Sequence, residues 1–408
     1  MKRNCIVAQS GGPTAAINAS LAGVIKGVIE SEMYDKIYGA IHGIQGVINR
    51  HFLDLTNKTP DFIDALKITP AMYLGSCRFK LADMSENLSD YEKIFSIFDE
   101  LNIGAFFYIG GNDSMDTVAK LSEYAQSIGS DIKIAGVPKT IDNDLVKTDH
   151  TPGFGSAAKY IASCVREMAY DTCIYNVSSV TIVEIMGRDA GWLTAASSLA
   201  RTDFIHAPHL IYLPEVDFYQ EQFLTDLKEL LARYRNVIVA VSEGIHDENG
   251  NYICAGTATE DKFGHAQLSG AGKYLETLVK VRLGVKVRSV EINIPQRCAG
   301  HLTSKTDLEE AFSAGQKAVA LTEDGKSGFM TTFVRVSDSP YQCEISSVPV
   351  SEVANKAKSV PRSFINEAGN DVTESMLNYL KPLIAGEVSI NFTDGVVDYL
   401  DISHLTSD

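Results

Sequence analysis

A chain of 408 residues with a formal net charge of −16 is too long for one ordinary hydrophobic core and suits two α/β domains. Its acidity argues against non-specific nucleic-acid binding, which rests on basic surface. Hydrophobic residues at 45% and charged residues at 22% exclude a disordered chain, and no apolar run approaches the roughly 18 residues of a membrane helix. The opening Met1-Lys-Arg-Asn-Cys-Ile-Val-Ala-Gln-Ser-Gly-Gly has too short an apolar stretch for a signal peptide. It reads as a strand entering a glycine loop, and the expected location is the cytoplasm. Cys5, Cys77, Cys164, Cys173, Cys254, Cys298 and Cys343 form an odd, scattered set without a C-x-x-C pair. They read as mostly buried thiols of a reducing compartment.

One arrangement recurs along the chain: a short apolar run, a loop rich in Gly, Ser, Thr or Asp, then a helical pattern. Cys5–Gln9 leads into Ser10-Gly-Gly-Pro-Thr14 and a helix from about Ala16 to Ile29. Ala105–Ile109 leads into Gly110-Gly-Asn-Asp-Ser114 and a helix through about Tyr124. Ile134–Val137 leads into Pro138-Lys-Thr-Ile-Asp-Asn-Asp144, and a further helix opens at Gly155-Ser-Ala-Ala158. Val180–Ile185 ends at Met186-Gly-Arg188, Asp217–Tyr234 reads as an amphipathic surface helix, and Val237–Val241 ends at Ser242-Glu-Gly244. Solid apolar strands alternating with helices imply parallel sheets covered on both faces, with ligands at the carboxyl ends of the strands. The expected fold is doubly wound α/β: two Rossmann-like parallel-sheet domains with the active site in the cleft between them. No Pro/Ser-rich linker marks the domain boundary, and the chain after about Ser359 has no clear assignment.

The loops differ in what they can do. Ser10-Gly-Gly-Pro-Thr14 presents backbone amides and a helix N-terminus, which suits an anion but equally suits tight packing alone. It is neither a Walker motif nor a G-x-G-x-x-G fingerprint. In the second loop Asp113 or Ser114 reads first as a helix N-cap, with a phosphate or metal role as the alternative. The third loop shifts the balance. Lys139, Thr140, Asp142 and Asp144 lie within six residues, and phosphoryl transfer needs such a set. One carboxylate accepts a hydroxyl proton, another holds Mg²⁺, and a lysine neutralises phosphate. Arg78, Arg188, Arg288 and Arg297 fall near strand ends of a net-acidic chain, which points to a substrate bearing phosphate groups. His206 and His209 flank a proline before an apolar run, so they read as a strand approach rather than as metal ligands. Met115 and Trp192 read as core.

From about Asn4 to Arg335 the chain resembles the 6-phosphofructokinase family. Gly11-Gly12, Gly75-Ser-Cys-Arg-Phe79, Gly110-Gly-Asn-Asp-Ser114, Lys139-Thr-Ile-Asp-Asn-Asp144, Met186-Gly-Arg188, Ser242-Glu-Gly244 and Gln296-Arg297 match its motifs in order. The resemblance implies that Asp142 is the base for the 1-hydroxyl of fructose 6-phosphate. Thr140 and Asp144 would orient the reacting groups and Mg²⁺. Gly11, Gly12, Gly111, Asp113 and Lys139 would hold the donor, and Arg78 would neutralise the transferred phosphoryl group. Met186, Gly187, Arg188 and Glu243 would bind the sugar. Arg288 and Arg297 would clamp its 6-phosphate, Arg288 being shared across subunits of a homodimer or homotetramer. The donor domain would span 1–155 plus about 297–350, the sugar-phosphate domain about 156–296, and a C-terminal extension of about 351–408 would pack on the core.

Asp113 stands where ATP-using members carry glycine, and Lys139 where many of them also do. Side chain and negative charge at Asp113 would exclude a nucleoside, so the pair resembles the diphosphate-dependent branch. Asn112 replaces the usual metal-binding Asp, leaving Mg²⁺ to Asp144, Asp113 or diphosphate itself. Ser179 and Ile294 replace the Arg and His of many bacterial ATP users. The competing expectations are an ATP-dependent enzyme, a catalytically silent sugar-phosphate sensor and, more distantly, a lipid or NAD kinase. Retained Asp142, Asp144, Arg78 and Lys139 argue against the sensor, and Met186-Gly-Arg188 with Arg288 and Arg297 argues for a sugar phosphate. Neither a nucleic acid nor a membrane is an expected partner.

Overall fold

The computed structural model describes residues 2–77, 79–254, 259–260, 266–267 and 270–406. The chain forms two units. The first comprises Met1–Ser156, Arg297–Ala357 and Ile384–Asp408; the second comprises Ala157–Gln296 and Lys358–Leu383. No helix among the described residues is long and apolar enough to cross a membrane.

The first unit is built on a seven-stranded sheet in the order Tyr341–Pro349, Phe329–Asp338, Lys133–Pro138, Ile103–Gly110, Arg3–Gln9, Tyr34–Ala40, Phe52–Asp54. The five inner strands are parallel, and the two outermost pair antiparallel to their neighbours. The apolar runs divide between two cores because successive side chains of a strand point to opposite faces. Cys5, Val7, Ala105, Phe107 and Ile109 enter one core with Ile17, Leu21 and Val319. Ile6, Ala8, Phe106 and Tyr108 enter the other with Met115 and Val118. With both faces covered, Ile103–Gly110 is buried at every residue, hence its unbroken apolar sequence. The outer strand Tyr341–Pro349 instead alternates between half-buried and exposed. The strand Arg3–Gln9 lies between Tyr34–Ala40 on one side and Ile103–Gly110 on the other, so the winding reverses there, and a doubly wound sheet binds its ligand at such a reversal.

The second unit carries four parallel strands in the order Lys286–Glu291, Ser179–Ile185, Asn236–Ser242, Leu210–Tyr212. Val180, Ile182, Val237, Val239 and Val241 pack with Leu224, Leu227 and Leu275. The amphipathic pattern from Asp217 forms a helix over Gln220–Leu231 that buries Phe223, Leu224 and Leu227. His209 lies on the strand approach, its Nδ1 accepting the Ile238 amide at 3.1 Å. Trp192 and Met115 are core residues, 2% and 0% exposed.

Residues beyond 357 are shared between the units. Within the second, Trp192 Nε1 donates to Lys358 O at 3.0 Å and its ring packs on Tyr379. Within the first, the Leu400 amide donates to Thr69 Oγ1 at 3.1 Å, and His404 stacks on Tyr73 with its Nε2 2.7 Å from Tyr73 O. One sequence expectation needs correction. All seven cysteines are free, but only Cys5 is fully buried, and Cys173 is exposed. A scattered thiol also occurs on outer strands and loops, as at Cys343 and Cys77.

Candidate active site

Three loops of the first unit meet because their strands are neighbours in register. Gln9 lies opposite Ile109, and Gly110 opposite Pro138, so the loops after Gln9, Gly110 and Pro138 share one end of the sheet. Lys139 joins them. Its amide donates to Gly110 O at 2.9 Å, and its side chain turns back so that Nζ donates to Gly12 O at 2.7 Å. Gly11 adopts φ +83°, and a Cβ there would stand 3.0 Å from that Nζ, so both backbone conformation and space call for glycine. Ser76 Oγ donates to Gly11 O at 2.8 Å.

The acidic loop is held by its own backbone. Thr140 Oγ1 accepts the Asp142 amide at 3.0 Å and lies 3.4 Å from Asp142 Oδ2. The Thr140 amide donates to Pro152 O, and Thr151 Oγ1 donates to Thr140 O at 2.9 Å. Asn143 takes φ +54°, the left-handed conformation that Asn tolerates better than most residues. Asp142 and Asp144 are half-buried. Burial of Lys139 pulls its pKa down to about 8, against the Asp142 and Asp144 carboxylates, which favour its charge. The buried ammonium thus sits against the Gly12 carbonyl with two carboxylates near it, and burial and charge act on it in opposite directions.

Other predicted residues fall around this centre. Asn112 begins the helix Asn112–Ser127, and Gly111 is its N-cap, with no side chain bonding the cap. The cap reading of Asp113 and Ser114 is therefore corrected: the helix starts two residues before an Asp113 cap would start it, and three before a Ser114 cap would. Asp113 lies exposed in the first turn. The Asn112 amide bridges to a turn, Oδ1 accepting the Asn355 amide at 2.6 Å and Nδ2 donating to Lys356 O at 2.9 Å. Arg297 belongs to the first unit, and a Cβ on Gly12 would lie 3.7 Å from one of its Nη atoms. Its Nε is buried without a hydrogen-bond partner among the described residues. Arg78 lies outside the described residues.

The second unit gathers the sugar-binding candidates where Ile185 pairs with Ser242. Met186 donates its amide to Gln296 Oε1 at 3.3 Å, Gly187 donates to Glu243 Oε1 at 3.2 Å, and Ser242 Oγ donates to Gly187 O at 2.5 Å. Gly187 has φ +141°, and a Cβ would stand 2.6 Å from Ala190 O, so a side chain is excluded there. Arg188 Nε pairs with Asp189 at 3.1 Å. Arg288 is set apart from this group. It lies within the outer strand Lys286–Glu291, opposite Thr181, and its nearest carboxylate is Asp171 at 3.6 Å.

Several positioning residues escaped the motif reading. Gln9 and Asn18 are fully buried, and Gln9 Nε2 donates to Asn18 Oδ1 at 3.0 Å. Their oxygens accept the Leu74 and Tyr73 amides, each at 2.9 Å, which holds the segment leading to Gly75-Ser-Cys-Arg78. A polar pair on an otherwise apolar strand and helix was the available signal. Asp307 accepts the Gly153 and Ser156 amides, each at 2.9 Å, and Ser156 Oγ at 2.6 Å. The Ser304-Lys-Thr-Asp307 spacing of a capping box was its signal; Ser304 does cap the helix, while the carboxylate reaches across the chain.

Known proteins resemble this chain in sequence and in fold. The Phosphofructokinase family profile matches residues 4–321. A pyrophosphate–fructose 6-phosphate 1-phosphotransferase of Halomonas elongata is 39% identical, covering 97% of this chain and 95% of its own length. One of Rhodospirillum rubrum is 41% identical over 94% of each chain. The crystal structure of a pyrophosphate-dependent phosphofructokinase from Nitrosospira multiformis superposes with a TM-score of 0.89 at 37% identity, covering 98% of this chain and 96% of that one. The chain belongs to the phosphofructokinase family.

Proposed function

We propose that the chain transfers the terminal phosphoryl group of diphosphate to the 1-hydroxyl of fructose 6-phosphate, giving fructose 1,6-bisphosphate and phosphate, with Mg²⁺ as the metal. The observation that carries this reading is the Lys139 ammonium, buried and hydrogen-bonded to Gly12 O. It places a cation among three loops whose amides suit phosphate oxygens. A compact, highly charged donor fits that centre, and exposed Asp113 at the helix start sets a negative side chain where a nucleotide would extend. Relatives about 40% identical along nearly the whole chain, named pyrophosphate–fructose 6-phosphate 1-phosphotransferases, support the same donor.

In this account Asp142 accepts the proton as the 1-oxygen attacks the terminal phosphorus, and the bond to the bridging oxygen breaks to release phosphate. Thr140 orients Asp142 through the 3.0 Å bond from the Asp142 amide. Lys139 and Arg78 balance charge on the phosphoryl oxygens. Met186, Gly187, Arg188 and Glu243 bind the sugar, and Arg288 and Arg297 its 6-phosphate, with Arg288 contributed to a neighbouring copy in a homodimer or homotetramer. The donor chemistry fits Mg²⁺, a hard cation that takes oxygen ligands. Asp144 and Asp113 offer carboxylates, whereas the Asn112 amide is engaged by Asn355 and Lys356. Bound Mg²⁺ neutralises phosphate charge and orients the donor. Because a phosphoanhydride other than ATP is exchanged for an ester, the reaction runs in both directions near equilibrium. The free cysteines support a reducing, cytoplasmic setting.

The test is fructose 1,6-bisphosphate formation from fructose 6-phosphate and Mg²⁺, with diphosphate or ATP supplied separately. Turnover with diphosphate is expected. Turnover with ATP alone would keep the reaction and overturn the donor, and none with either would favour a silent sugar-phosphate sensor.

A further inference from the structure

Among the described residues, one place outside the candidate active site gathers three groups of metal-ligating type on separate elements. A His150 ring nitrogen, a Glu310 carboxylate oxygen and Cys343 Sγ all lie within 4.8 Å of one another. Glu310 comes from the helix Lys305–Glu323 and Cys343 from the outer strand Tyr341–Pro349. Alternation along that strand exposes Gln342 and Glu344 and turns Tyr341, Cys343 and Ile345 inward.

The surroundings have the layered order of a metal centre. His150 Nε2 lies 2.7 Å from Glu310 Oε2, while Nδ1 lies 2.8 Å from Asp149 Oδ1. A carboxylate on the far nitrogen fixes the tautomer that aims the near one at a metal. Asp149 is itself held by Arg335 Nη2 at 2.9 Å, and Tyr341 Oη donates to the other Glu310 oxygen at 2.7 Å. The imidazole, 3% exposed, packs on the Phe333 ring at 4.8 Å between centroids. Glu310, Tyr341 and Cys343 also line an open groove of about 720 Å³, which gives an ion an entry path and leaves room for a fourth ligand.

We propose that His150, Glu310 and Cys343 form a binding site for a borderline-soft divalent cation of the zinc class. One nitrogen, one carboxylate oxygen and one thiolate suit such an ion, which takes four ligands at about 2.0–2.3 Å. They do not suit Mg²⁺, which prefers all-oxygen shells. Binding displaces two protons to solvent, the thiol proton of Cys343 and the His150 Nε2 proton that faces Glu310, and water from the groove fills the fourth position. His150 adjoins Thr151, whose hydroxyl donates to Thr140 O at 2.9 Å, so the ion braces the backbone on which the acidic loop rests.

The test uses the full chain, stripped with a chelator and titrated with Co²⁺ as a spectroscopic probe. One equivalent is expected to give a thiolate-to-cobalt charge-transfer band with tetrahedral ligand-field bands. Zn²⁺ should displace the ion, and excess Mg²⁺ should not. Cys343→Ser should abolish the band, while Cys173→Ser, at an exposed cysteine, should leave it intact. Glu310→Gln keeps an acceptor for Tyr341 and should retain the band while weakening binding at least about tenfold. A Zn²⁺-dependent rise in Tm, absent in Cys343→Ser, is the second readout. Octahedral cobalt without a thiolate band, or a band that survives Cys343→Ser, would overturn the site and leave His150 as a bridge between two carboxylates.

Discussion

The two units hold their candidate functional residues in different ways. In the first, Lys139, Thr140 and Asp142 are fixed by bonds to neighbouring backbone, and Asp307 pins the Gly153 and Ser156 amides behind them. In the second, Gly187 and Glu243 are likewise held by backbone and side-chain bonds, but Arg188 pairs with a largely exposed neighbour and Arg288 projects from an outer strand with its side chain 44% exposed. In the proposed function the first unit holds the donor, and fixed positioning of charge is what phosphoryl transfer chiefly asks of a protein. On the proposed sugar-phosphate side the outermost arginine, Arg288, has only a 3.6 Å approach to Asp171 among its ion pairs in the described residues.

The largest effect should come from the rigid side. Asp142→Ser is expected to lower kcat by about 100- to 10,000-fold while fructose 6-phosphate affinity, measured by calorimetry, stays within a few-fold. A normal kcat would remove Asp142 as the base. Asp307→Ala strands two amides at about 1–3 kcal/mol each, so denaturant unfolding should show a loss of about 2–6 kcal/mol. A loss below that range would mean the loop is held elsewhere. Arg288→Ala sharpens the contrast: KM for fructose 6-phosphate should rise about 10- to 100-fold, as for a lost charge-assisted bond, with KM for diphosphate unchanged. A change confined to the diphosphate KM would place Arg288 on the donor side.

The smallest effect is a pH dependence. Lys139 has its pKa lowered from 10.5 to about 8 by burial. In free enzyme it therefore loses its charge as pH rises through about 8, and kcat/KM for diphosphate should fall on that limb. Lys139→Arg should move the fall to higher pH, because guanidinium stays charged. The stability effect has the opposite sign. Between about 8 and 10.5 the unfolded chain binds a proton that the folded chain has released, so this residue's contribution to stability rises with pH. A kcat/KM profile flat through pH 9 would mean that Lys139 does not carry donor charge.

Much of this organisation was legible in sequence, for physical reasons specific to each element. Inner parallel strands covered on both faces must be apolar throughout, so Ile103–Gly110 and Ser179–Ile185 announced themselves, and the glycine- and acid-rich loops at their ends marked the site. The antiparallel outer strands did not, since Phe52–Asp54 is three residues long and Tyr341–Pro349 mixes polar and apolar residues. The supports of the site were equally hidden. Gln9, Asn18 and Asp307 act across 51 to 154 residues of sequence, and no local pattern reports such a span. The role of the chain's end was also invisible: His404 and Leu400 reach back to Tyr73 and Thr69, on the segment that runs into the Arg78 loop.

The most direct test of the central claim compares kcat/KM for diphosphate and for ATP, measured side by side on the wild-type chain and on Asp113→Gly. The account predicts a strong preference for diphosphate in the wild type and a measurable rise in ATP use in the variant, as side chain and charge leave the start of the donor helix. A wild-type preference for ATP, or a ratio unmoved by the substitution, would contradict it.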